Sequence, residues 1–129
     1  MANKGNFALI SSQGQTHRLT VSGTSVASGD VFTLDVSTLN FGSLVEVVYQ
    51  RVVAASPATR VDPAWHSSTF PAVANLLASP SWASEGVATT TQAVSDTTLL
   101  PLVAGVAYLK PTPDATADCS AEIVLREVR

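Results

Sequence analysis

The segment Cys119-Ser-Ala-Glu-Ile-Val-Leu-Arg-Glu-Val128 alternates apolar and polar residues almost to the C-terminus. Cys119, Ala121, Ile123 and Leu125 fall on one side of an extended chain. Ser120, Glu122 and Arg126 fall on the other, with Val124 the exception. A repeat of two is the signature of a strand buried on one face. The same rhythm recurs upstream. In Val31–Leu39, Phe32, Leu34 and Val36 oppose Thr33, Asp35 and Ser37. Ser43–Val53 is apolar on both sides, as expected of a central strand or one covered by an interface. Phe7–Ser12, His17–Ser22, Val87–Val94, Leu99–Val103 and Val106–Lys110 complete a set of seven or eight strands. Gly14, Asn40-Phe-Gly42 and Pro111-Thr-Pro-Asp114 supply turns between them.

This pattern predicts an all-β fold, an antiparallel β-sandwich or jelly roll. The 129 residues make one domain (1–129), long enough to bury a core without staples. Residues 1–10 read as an N-terminal strand or arm. Residues 56–86 break the rhythm: Pro57, Pro63, Pro71 and Pro80 punctuate them and strand runs are absent. The segment reads as an irregular, partly helical insert, with Pro71 opening a short helix to Ala78. An insert this long in a compact domain is often functional.

Composition narrows the function classes. Charged residues make up 13% of the chain, about half the usual ~25%. Serine and threonine take their place. Such a surface loses little charge solvation on association, and interface cores are depleted in charge. The net charge of −3 and only seven Lys and Arg, none forming a stripe, argue against nucleic acid as a partner. No apolar run of about 18 residues is present, so no membrane span is expected. Neither a signal peptide nor a glycosylation sequon is read. The single cysteine, Cys119, suits synthesis in a reducing cytoplasm and reads as a small core hydrophobe.

Motifs for chemistry are scarce. No Gly-x-Ser-x-Gly elbow occurs, and His17 and His66 lie in no known catalytic context. A Ser, His and acid inventory is no triad without geometry. No Cys-x-x-Cys, His-x-x-x-His or calcium loop is present, and no cofactor is expected. Glu122 and Glu127, five apart on one strand, fall on opposite faces and read as solvated acids, and so do Asp114 and Asp118. The local cluster of interest is Asp62-Pro-Ala-Trp-His66. An indole beside an imidazole and a carboxylate suits a sugar platform or a protein contact, since Trp is enriched at hot spots. Against this stands a purely structural role, with Trp65 and Trp82 covering one end of the core. Phe7, Trp65, His66, Phe70 and Trp82 are the candidate interaction residues.

The start Met-Ala-Asn-Lys-Gly-Asn-Phe7, the Ser/Thr/Ala/Val-rich stretches Val31–Leu39 and Val87–Val94, and the close Ala107-Tyr-Leu-Lys-Pro-Thr-Pro-Asp114 with Ala121-Glu-Ile-Val-Leu125 together give a resemblance. The chain resembles the small β-sandwich accessory proteins of tailed bacteriophages, the capsid cement or decoration proteins. The resemblance implies a non-catalytic homotrimer, made in the host cytoplasm and carried on the virion. It would sit where capsomers meet, strengthen the shell, and have the major capsid protein or another virion protein as partner. The alternative is a carbohydrate-binding or receptor-binding tail module using Trp65 and Trp82. A small enzyme would need titratable groups converging in one pocket.

Overall fold

The computed structural model describes residues 2–35, 44–55, 61, 63–68, 83–84, 93–96, 100–103 and 106–127. These residues form eleven strands: β1 (Asn3–Asn6), β2 (Ala8–Gln13), β3 (Thr16–Val26), β4 (Val31–Asp35), β5 (Leu44–Ala54), β6 (Ala64–Ser68), β7 (Ala83–Ser84), β8 (Ala93–Asp96), β9 (Leu100–Val103), β10 (Val106–Lys110) and β11 (Ala117–Glu127). They build two sheets around a shared core, a β-sandwich. The first sheet runs β1-β4-β10-β6-β7. The second runs β2-β3-β11-β5-β8, with β9 also paired to β5.

The alternation of the C-terminal strand decides its place. Along β11 every odd residue from Ala117 to Glu127 is buried, while the even ones are exposed or half-buried. Its neighbours obey the same parity. On β3, His17, Leu19 and Val21 point inward. On β5, Val45, Val47, Gln50, Val52 and Ala54 do so, the step after Val47 being absorbed by a register shift opposite Val124 and Leu125. From the first sheet Phe32, Leu34, Trp65, Ala107 and Leu109 close the core. Full burial of one Leu, Ile, Val or Phe side chain contributes about 1.5–3 kcal/mol. Val31 and Tyr108, on the opposite parity of β4 and β10, form a second buried cluster, so this part of the first sheet is covered on both faces.

Three expectations need correction. Seven or eight strands become eleven. The N-terminal run is not one strand: it breaks at Phe7 and serves both sheets. β1 pairs with β4, in parallel rather than antiparallel, and β2 pairs with β3. Finally, the 56–86 insert is not free of strands. Ala64–Ser68 lies between β10 and Ala83–Ser84 in the first sheet. No helix occurs among the described residues, and the proposed helix over 71–78 lies outside them.

The crossing at Phe7 depends on two glycines. A Cβ on Gly23 would stand 2.8 Å from the Lys4 carbonyl oxygen and 2.9 Å from the Phe32 ring. A Cβ on Gly5 would stand 2.8 Å from Val21. With no side chain at either position, β1 lies against β3 and leads Phe7 into the core. Asp30 then pins the N-terminus: its Oδ1 accepts from the Ala2 amide and its Oδ2 from the Ala27 amide. The residues of the expected arm are thus part of the sandwich.

Candidate functional site

The predicted aromatic anchors have other duties. Trp65 is 1% exposed. Its indole stacks on Phe7 at 6.0 Å, and Phe7 meets Phe32 edge-on at 6.4 Å. The indole N–H donates to Gln50 Oε1 at 2.9 Å, in the core. Buried polar groups are hydrogen-bonded, and this bond explains a glutamine at an inward position of β5. A buried indole cannot stack on a sugar, so Trp65 is removed from the carbohydrate platform and from the contact surface alike. Phe7 is buried with it. His66 is half-buried on β6, opposite Tyr108 of β10. Asp62, Phe70 and Trp82 lie outside the described residues.

Exposed apolar groups gather elsewhere. β2 is the edge of the second sheet, and all six of its residues are exposed. Among the described residues the large exposed hydrophobics are Leu9 at 43% and Ile10 at 55%. The register explains them. Leu9 pairs with Leu19 and Ser11 with Arg18, so Ile10 is an extra residue, a β-bulge. A bulge bends an edge strand and re-aims its side chains. It also interrupts the row of free backbone groups on which a further strand could align. The hairpin closes through Gly14 and Gln15. Gly14 has φ of 61°, and a glycine first in a two-residue loop is what a type II′ turn requires.

The same hairpin carries a hydrogen-bonded chain of three side chains. Ser12 Oγ lies 2.7 Å from His17 Nδ1. His17 Nε2 lies 2.7 Å from Glu127 Oε2. The chain ties β2 through β3 to β11, and the Glu127 amide donates to the Gln15 carbonyl at the turn. His17 and Glu127 are buried, whereas Ser12 is exposed. Glu127 is therefore not a solvated acid. The sequence held a signal for this pair: Glu127 continues the inward parity of Cys119 to Leu125, and His17 begins that of Leu19 and Val21. Two ionisable groups at inward positions need each other.

The remaining charges are ordinary. On the outer face of the second sheet Arg18 meets Glu122 at 2.8 Å, and Arg126 meets Glu46 at 2.5 Å. Beside them runs an open groove of about 510 Å³, lined by Asn6, Thr20, Ser22, Arg51, Val53 and Ser120 among others. It is a hydroxyl-rich surface without an aromatic platform. Cys119 lies in the core, where burial, helped by the Asp118 charge, pushes its thiol up to about 11. Burial and Asp35 likewise raise the Tyr108 phenol. Among the described residues no three His, Cys, Asp or Glu side chains group as metal ligands, and no helix is long and apolar enough to cross a membrane.

No family model matches this chain, and no curated protein does. Solved structures resemble it in outline. The pre-peptidase C-terminal domain of collagenase from Bacillus anthracis is 16% identical, over 98% of this chain and 95% of that one, with a TM-score of 0.49. The CBM22-1 xylan-binding domain of Paenibacillus barcinonensis Xyn10C is 17% identical over 95% and 81%, at 0.40. A nora virus structure is 8% identical over 86% and 56%, at 0.35. Similarities this distant assign no function.

Proposed function

We propose that this chain is a structural virion protein, a jelly-roll subunit that binds an assembled phage shell as a homotrimer and stabilises it. The strand order supports the jelly-roll reading. β3-β11-β5 with β8 and β9 faces β4-β10-β6-β7, and from β3 onward the chain changes sheet at every step except β6 to β7 and β8 to β9. This is an eight-strand double sheet, if β8 and β9 count as one interrupted strand, with β1 and β2 added at its edges. The observation that carries the functional reading is the exposed Leu9–Ile10 pair on a bulged edge hairpin. No Asp, Glu, Lys or Arg stands between Lys4 and Arg18, so two copies meet there without like charges opposed. This contact between copies takes the place of the candidate interaction residues Phe7 and Trp65, which are buried.

The mechanism is linkage. A partner that binds only the assembled shell lowers its free energy by mass action, with no reaction involved. The carbohydrate-binding alternative loses Trp65 to the core. Gold-labelled antibody against the chain is expected to decorate the shells of intact virions. Label found only on unassembled protein, or only on tails, contradicts the reading.

A further inference from the structure

We propose that Ser12 is an activated nucleophile that accepts the acyl or phosphonyl group of small activated esters. The inference is independent of shell binding and stands on the Ser12–His17–Glu127 chain. In the tautomer that donates from Nε2 to the Glu127 carboxylate, 2.7 Å away, His17 keeps a lone pair on Nδ1. That leaves the Nδ1 lone pair 2.7 Å from the Ser12 hydroxyl, placed to take its proton. Nucleophile, base and orienting acid thus stand in the geometry that the sequence alone did not disclose. The ring nitrogens are exchanged relative to the usual serine hydrolase order, which leaves the proton path intact.

Exposure is graded in the sense the chemistry needs. The base and the acid are buried, and the hydroxyl is open. The register contributes a further part. Gln13 and Thr16 close the two-residue loop as a hydrogen-bonded pair, which makes Ser12 and His17 the next, non-hydrogen-bonded pair. Side chains approach most closely at such a pair. The Ser12 amide N–H then points to the free edge of β2, a donor for charge on an oxygen bound beside Oγ.

The step balances without any other reagent than water. Ser12 Oγ adds to the ester carbonyl carbon and its proton passes to His17 Nδ1. The tetrahedral oxyanion collapses, the carbon–oxygen bond to the alcohol breaks, and the alcohol leaves with the proton from Nδ1. An acyl-serine remains. Water, deprotonated by the same nitrogen, releases the acid and restores the hydroxyl.

The test uses the full chain with a fluorescent fluorophosphonate and, separately, 4-nitrophenyl acetate. A single adduct mapped to Ser12 by mass spectrometry is expected, absent in Ser12→Ala and formed at least tenfold more slowly in Glu127→Gln. Labelling of the wild type no faster than of Ser12→Ala, or an adduct on Ser11, overturns the proposal. Because Glu127→Gln removes a buried charge and can perturb folding, a second comparison uses exposed positions alone. Ser12→Cys is expected to react with iodoacetamide at neutral pH at least tenfold faster than Ser11→Cys, and equal rates overturn it.

Discussion

Trp65 fills the centre of the sandwich, stacked on Phe7 and bonded to Gln50, so its removal leaves both a cavity and an orphaned amide oxygen. Trp65→Ala is expected to lower unfolding free energy by about 3–5 kcal/mol, measured by urea denaturation. Leu9→Ser and Ile10→Ser are expected to stay within about 0.5 kcal/mol of the wild type, as surface changes do. Cys119 makes a prediction about pH. Its folded value of about 11 lies above the ordinary thiol value of 9.0. The fold thus favours the neutral thiol, and the associated stability is complete below pH 9 and is lost as pH rises towards 11. Tyr108 acts in the same direction. Denaturation midpoints should therefore fall across that window, and less steeply in Cys119→Ala. Ellman's reagent at pH 8 should find no thiol in the native protein and one in denaturant.

Strands were legible in the sequence where one face is buried and nothing but the pleat sets the pattern. β3, β4 and β11 show their inward residues directly, and the two apolar faces of Ser43–Val53 marked β5 as central. β1 was not legible, because Asn-Lys-Gly-Asn has no strand propensity. It becomes a strand through close backbone approach at Gly5 and Gly23 and through pairing with β4, which only tertiary structure supplies. β6 was hidden by the prolines around it, and Trp65 was read as an anchor because it stood in that stretch. The Ser12–His17–Glu127 chain joins residues 110 apart in sequence at its widest link. Parity puts His17 and Glu127 at inward positions, which the reading of Glu127 as a solvated acid overlooked; that β3 lies beside β11 had to come from the fold. Gly23→Ala is expected to prise β1 from β3, seen as faster amide hydrogen exchange across Asn3–Asn6. At Gly14 a Cβ would meet nothing within 4 Å, so Gly14→Ala carries only the cost of its left-handed backbone, about 1–2 kcal/mol.

For the molecule as a whole, the integration of the N-terminus changes how association must be probed. Deleting residues 1–10 removes β1 and Phe7 from the core, so stability and assembly would fall together and the deletion could not separate them. The paired change Leu9→Ser with Ile10→Ser leaves the core intact and alters only the displayed edge. The low charge of the chain, 13% of residues, gives neighbouring copies little electrostatic reason to stay apart. Light scattering coupled to size-exclusion chromatography tests this most directly. The expected wild-type mass is near three times the 13.4 kDa chain, falling to one chain in the Leu9→Ser, Ile10→Ser variant, which still unfolds cooperatively. A wild-type protein that elutes as a single chain at every concentration would contradict it.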